Sequence, residues 1–237
     1  MDFENKLIPG VLIKRYKRFF VDVKLGNKII TAHCPNPGSM FKLLDKGNSV
    51  WVTESSNPKR KLKYTLQIIE IDGNKFCVNT HITNKIINEA LNKKLIKKLA
   101  DFDSIKPEQK FGSNTRFDFL LNSKNKKAFL EVKSVTLSRI KDHAEFPDSV
   151  TSRGKKHLEN LMLANKQGYE SYIVFLVQIE NCKSFGVASD IDPEYFRVFK
   201  NALKKNVKML CYDCKFSNKG IEINSEINII LNDKPHS

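Results

Sequence analysis

"FLEVKSVTL", residues 129–137, begins as a buried β-strand and then sets Glu131 and Lys133 two positions apart on it. Successive side chains of a strand point to opposite faces, so Phe129, Glu131 and Lys133 share one side while Leu130, Val132 and Val135 belong mainly to the core. Two opposite charges on a strand so firmly anchored need a reason to be there. Upstream, "TRFDFLL" (115–121) is a second strand with Asp118 between apolar neighbours, joined to the first by the polar turn "NSKNK". Paired antiparallel, the two strands bring Asp118 and Glu131 together.

Carboxylates held close repel each other unless a cation lies between them. Hard oxygen ligands with open water positions suit Mg²⁺ or Mn²⁺, and a lysine two residues after the glutamate reaches toward the same water or phosphate. That is the equipment for cleaving a phosphodiester: a metal to polarise the phosphoryl oxygen and an ammonium to orient the nucleophile. Glu108, in "KPEQKFG" (106–112), offers a third carboxylate. Alone, the spacing Asp-x12-Glu-x-Lys also fits a plain salt bridge of Lys133 with Asp118 or Glu131 at a sheet edge. Downstream, "EFPDSVTSRGKKHLENL" (145–161) places Arg153, Lys156 and His157 at the start of a helix, a natural anion site. Arg153 and Lys156 are the backbone-contact candidates there; His157 reads as an exposed or hydrogen-bonded helix histidine.

Outward from this centre, residues after Pro107 alternate strand, strand, helix, strand, helix, strand, which describes a mixed sheet with helices on its faces. The first helix starts near Thr151 or Ser152 and stops at Gly168; the second has Asp192 as its cap and Pro193 at its first position. "YESYIVFLVQIE" and "VKMLCYDCKF" are the strands that follow them. The first 80 residues differ: short alternating segments, the first being "GVLIKRYKRFFVDVKL", separated by Gly, Asn, Pro and Asp, read as about five strands closing into a small barrel. Arg15, Lys17 and Arg18, interleaved with Tyr16 and Phe19, are the cations and rings across which a single strand of nucleic acid can lie; the competing reading makes Phe19, Phe20 and Trp51 core. Between the two regions, 84–100 reads as one amphipathic helix with Ile87, Leu91 and Leu95 on its apolar face. The expected organisation is a barrel over 1–82, a connecting helix over 83–106 and an α/β domain over 107–237, with a frayed tail "NDKPHS".

Forty-one Lys and Arg against 26 Asp and Glu give a formal charge of +15, which favours polyanionic partners. No apolar run approaches the roughly 18–20 residues that span a bilayer, and "MDFENKLIPG" lacks the basic-then-apolar order of a secretory signal. A cytoplasmic protein with no membrane partner is expected, its five cysteines free thiols. Cys211 and Cys214 form C-x-x-C, but a structural zinc needs two further ligands and no second motif supplies them.

At these residues the chain resembles the sugar fermentation stimulation protein family. The resemblance rests on "RYKRFFVDV", "TAHCPNPGSM", "SNPKRKLKYTLQIIE", "FGSNTRFDFLL", "FLEVKSVTL", "FPDSVTSRGKKHLENL" and "DIDPEYF", in that order, from about residue 10 to about residue 200. It implies an OB-fold-like barrel joined to a domain similar to the PD-(D/E)XK, restriction-endonuclease-like nucleases. The nuclease pattern falls on Asp118, Glu131 and Lys133, with Glu108 at an upstream acidic position and Phe117 where a proline is common. The family name comes from a sugar-utilisation phenotype attributed to DNA binding. The expectation is therefore a DNA-binding, Mg²⁺- or Mn²⁺-dependent nuclease: Asp118 and Glu131 ligate metal, Glu108 assists, Lys133 positions water. The alternative is a non-enzymatic DNA-binding regulator of sugar metabolism with a vestigial site, and a third reading is an RNA-binding barrel with a processing nuclease attached. Oligomeric state is not legible.

Overall fold

The computed structural model describes residues 1–112 and 115–231; the tail "NDKPHS" and the loop residues Ser113 and Asn114 lie outside them. The N-terminal region contains β1 (Leu7–Tyr16), β2 (Phe20–Leu25), β3 (Lys28–His33), β4 (Ser49–Glu54), β5 (Tyr64–Ile71) and β6 (Asn74–Cys77). They hydrogen-bond in the order β3-β2-β1-β4-β5-β6, and a parallel pairing of β3 with β5 closes the first five into a barrel. Leu12, Val21, Val23, Ala32, Val50, Val52 and Leu66 fill it, all fully buried.

The stretch read as the first strand is in fact a hairpin of β1 and β2. Its turn is the three-residue loop Lys17–Phe19, in which Lys17 and Arg18 are left-handed (φ 46° and 64°). Left-handed positions in a hairpin loop normally advertise themselves with Asn or Gly, and here two long cations occupy them. β6 adds a strand to the end of β5 outside the closed ring.

A short 3-10 turn, Thr80–Ile82, leads into α1 (Thr83–Asn92). The helix is shorter than the expected 84–100. It ends with Lys94 left-handed (φ 55°), the Leu95 N–H bonding to the Ala90 carbonyl at 2.9 Å and the Lys94 N–H to that of Leu91 at 3.0 Å. This is a Schellman stop in which lysine replaces the customary glycine. Past it the periodicity is lost: Leu95 is exposed and Ile96 is buried instead.

The second region comprises β7 (Ser104–Phe111), β8 (Thr115–Asn122), β9 (Lys127–Val135), β10 (Leu137–Ile140), β11 (His143–Phe146), α2 (Ser152–Lys166), β12 (Glu170–Val177), β13 (Ser184–Val187), α3 (Pro193–Lys204), β14 (Lys208–Phe216), β15 (Ile221–Glu226) and β16 (Asn228–Ile230). The main sheet has the order β15-β14-β12-β9-β8-β7. β9, β12 and β14 are parallel, linked through α2 and α3, while β7–β8–β9 run antiparallel. A small sheet, β10-β11-β13-β16, was not foreseen; strands of four residues or fewer carry too little alternation to stand out. β7 was missed because it is an edge strand, mostly exposed and holding Pro107, where a lost ladder donor does no harm.

The helix ends of this region follow their signals. The Thr151 hydroxyl accepts the Gly154 N–H at 3.0 Å, Asp192 accepts that of Tyr195 at 2.9 Å with Pro193 at the first helical position, and Gly168 is left-handed after α2 (φ 86°). The two faces of β9 separate two cores: Phe129 and Val135 pack with α2 and α3 and with the barrel interior, whereas Leu130 and Val132 pack with α1. Cys211 and Cys214, three residues apart on β14, fall into these two different cores as free buried thiols, so the C-x-x-C is a coincidence of spacing. Among the described residues no helix is long and apolar enough to cross a membrane.

Candidate active site

Asp118 stands where β8 parts from β9. Regular pairing runs from Asn122–Lys127 to Phe119–Leu130; one step on, the Asp118 Oδ2 accepts the Val132 N–H at 2.7 Å, a side chain continuing the ladder. Its Oδ1 accepts from Asn84 Nδ2 of α1, also at 2.7 Å. The strand's alternation breaks here. Phe117 packs on Phe129 at 4.9 Å between ring centroids, while Phe119, two residues later, belongs to the core on the α1 side.

Glu131 is 3% exposed. Its Oε1 accepts from Lys133 Nζ at 2.7 Å and is also bonded to His157 Nδ1; the Lys133 ammonium lies 3.2 Å from that nitrogen. The other oxygen, Oε2, is buried without a hydrogen-bond partner. From His157 the row continues outward, Arg153 Nε approaching His157 Nε2 at 3.4 Å, because residues four apart share a helix face.

The electrostatics of the two acids differ. Burial drives the Glu131 carboxyl up, but Lys133 and His157 outweigh it and hold it below the usual range. Asp118 is pushed up to about 6, first by burial and then by the charge of Glu131, with only partial relief from the Val132 N–H, Asn84 and Lys133. The pair thus carries negative charge that its protein neighbours do not fully neutralise.

Of the expected site residues, Asp118, Glu131 and Lys133 come together. Glu108 sits across from Asp118 in the register, between the pairs Pro107–Phe119 and Gln109–Phe117, but its backbone is left-handed (φ 53°) and its carboxylate lies 3.6 Å from Arg116. Among the described residues no group of three or more His, Cys, Asp or Glu side chains is arranged to hold a metal ion. Lys17 and Lys156 are exposed on separate elements.

Arg18 and Arg153 meet at a cavity of about 780 Å³ between the barrel and the α/β domain, with Asn36, Gly38, Lys133 and Thr136 also in its wall. Arg15 spends its guanidinium on backbone, donating to the carbonyls of Arg18 (2.7 Å), Asn36 (2.7 Å) and Gly38 (3.0 Å). It pins the β1–β2 hairpin tip to the loop that forms the other lip of the groove. A Cβ at Gly38 would lie 1.9 Å from the Asp148 carboxylate, so a side chain there would require Asp148 to move.

His157, read from the sequence as an exposed or hydrogen-bonded helix histidine, is buried and bonded to Glu131; sequence reasoning passed over Asn84 and Gln178. The place of His157 among the buried positions of α2 was the available signal that it points inward. For Gln178 it was a lone amide at the end of the run "YIVFLV"; it is fully buried and accepts from the hydroxyls of Thr83 (2.6 Å) and Ser134 (2.8 Å). Asn84 had none.

A closed five-stranded barrel joined to a mixed α/β domain, with Asp118 facing a Glu131-x-Lys133 strand, defines a two-domain architecture with a buried carboxylate site. The chain belongs to the sugar fermentation stimulation protein family: residues 81–220 match its RE domain and residues 13–78 the SfsA N-terminal OB domain. It is 54% identical over 230 residues to the sugar fermentation stimulation protein homolog of Pelagibacter ubique, covering 97% of this chain and 99% of that one. Identity to the homolog of Pseudoalteromonas atlantica is 42% over 235 residues, covering 98% and 100%. The structure of Pyrococcus furiosus SfsA in complex with Ca²⁺ has the same fold, with a TM-score of 0.87 at 24% identity over 97% of this chain and 98% of that one.

Proposed function

We propose that this protein is a divalent-metal-dependent nuclease acting on DNA, with Asp118 and Glu131 as metal ligands and Lys133 beside them. The observation that carries the reading is the carboxylate pair. Glu131 presents a buried oxygen with no partner, and Asp118 is raised to about 6 by burial and by that same glutamate. A dication between two such groups relieves both, and one or two carboxylates plus waters is the usual complement of Mg²⁺. When bound, the ion supplies polarisation of the phosphoryl oxygen and a more acidic water. Lys133, fixed by Glu131, places an ammonium at the groove wall where charge develops on the phosphate. Arg153 and Arg18 face the same cavity and would hold the DNA backbone there. The relative from Pyrococcus furiosus, of the same fold, is described with Ca²⁺.

One observation favours the regulator reading. Lys133 and His157 already occupy Oε1 of Glu131, so a site neutralised by its own side chains could bind DNA without cutting it. Incubating plasmid and single-stranded DNA with Mn²⁺, Mg²⁺ or EDTA separates the two. Metal-dependent cleavage should fall by about a hundredfold or more in Glu131→Gln and Asp118→Asn. Equal rates in wild type and variants would sink the site assignment, and tight DNA binding with no cleavage under any metal would establish the regulator.

A further inference from the structure

The barrel rim beside the groove carries a row of rings. Phe19 directly follows Arg18 at the hairpin tip and is 43% exposed. Its ring stacks on His33 at 6.4 Å between centroids and 25° between planes, and His33 meets His81 at 6.1 Å and 40°. His81 is the neighbour of Thr80, which, like Arg18, lines the groove. On the far side, His33 and His81 form part of the wall of a second cavity of about 570 Å³, which also contains Arg60 and Lys85. The three rings are therefore a ridge between two cavities, and each cavity presents cations.

Three further facts bear on what crosses the ridge. The turn that projects Arg18 and Phe19 is built from two left-handed residues with side chains, a conformation that L-residues disfavour, and Arg15 braces it from below. Burial, then Arg60 and His81, hold His33 down, so its ring offers an uncharged face. Of the five carboxylates in the two cavity walls, Glu4 pairs with Lys85 at 2.8 Å and Glu145 with Arg139 at 2.7 Å, while Asp2, Glu54 and Asp148 also face them.

We propose that Phe19, His33 and His81 form a stacking platform for the unpaired bases of single-stranded DNA, whose backbone runs from Arg60 and Lys85 over the ridge to Arg18 and Arg153. A duplex hides its base faces from such a ridge; a single strand exposes one at every nucleotide. The inference rests on the preceding section only for DNA as the polymer, and it specifies a substrate with an unpaired stretch leading to Lys133.

The test is fluorescence anisotropy of full-length protein with labelled oligo(dT) and with a duplex of equal length, in EDTA so that nothing is cleaved. Wild type should prefer the single strand. Phe19→Ala and His81→Ala should each weaken oligo(dT) binding by about fivefold or more, with duplex binding unchanged, and Phe19→Tyr should retain the wild-type value. Since Phe19 has no charge, its loss should leave the salt dependence as it was, whereas Arg18→Ala should make it shallower. Phe19→Leu keeps the bulk without the ring, so it decides the matter even where the alanine variant folds poorly. Undiminished oligo(dT) binding in Phe19→Leu and His81→Ala, equal affinity for the duplex, or preference for an oligoribonucleotide would overturn the proposal. Binding is read without metal, so failure of the cleavage experiment and failure of this one are separate results.

Discussion

Asp118 carries a charge that costs the fold stability. Its carboxyl, raised to about 6 from 3.8, is ionised in the folded protein at neutral pH only at a cost, because the unfolded chain ionises it more easily. The penalty is complete above pH 6, shrinks as the pH falls through that value and is gone below the unfolded value of 3.8. A shift of this size corresponds to roughly 2–3 kcal/mol. Asp118→Asn should accordingly be more stable than wild type at pH 8 by about that amount, and urea titrations at falling pH should show the advantage vanish near pH 4. Parallel curves at all pH values would mean that the two hydrogen bonds to Asp118, and not its charge, dominate. Arg15 illustrates the reverse case: its charge reads as a DNA contact in the sequence, and its geometry makes it a brace.

Among the elements, the three helices end in one motif with three different residues. The left-handed position is Lys94 after α1, Gly168 after α2 and Asn206 after α3. The matching bonds recur, Tyr169 N–H to the Ala164 carbonyl at 3.1 Å and Val207 N–H to that of Ala202 at 3.0 Å. Only the glycine announced its stop clearly, which is why α2 was legible to within two residues and α1 was overrun. At the helix starts, Asp192 does double duty: Oδ1 caps α3, and Oδ2 accepts the Thr151 N–H at 2.8 Å, just ahead of α2. It is 2% exposed. Asp192→Ala should cost about 2–4 kcal/mol, a cap plus a buried charge-assisted bond, seen as a lower urea midpoint at unchanged slope. Thr151→Ala, which removes a cap alone, should cost about 1 kcal/mol.

For the whole molecule, the barrel and the α/β domain share an interior. Barrel residues such as Leu12 and Val52 belong to the same buried cluster as Phe129, Phe175 and Leu161. Polar links reinforce the join: Cys77 N–H to the Gln178 carbonyl at 2.9 Å and Asn36 to the Thr136 hydroxyl at 3.3 Å. Calorimetry should therefore show one transition with equal calorimetric and van't Hoff enthalpies. Gln178→Leu, which strands the Thr83 and Ser134 hydroxyls beneath α1, should broaden or split it. Two resolved peaks in the wild type would show that the shared core does not couple the units.

The sequence alone determined the elements whose information is local. Alternation marked the barrel strands and the pair around Asp118 and Glu131, Asp192-Pro193 and Gly168 marked helix ends, and the motif order marked the family. What only the tertiary structure decided depends on residues far apart in the chain. His157 lies against Glu131, Arg15 reaches two loops, Glu108 turns to Arg116, and Phe19, His33 and His81 line up on one rim. Local backbone preferences are written within a few neighbouring residues, so they can be read along the chain. Lys133, two residues from Glu131, was legible as its partner in the same way, whereas partners that lie far apart in the chain are set by packing across the fold.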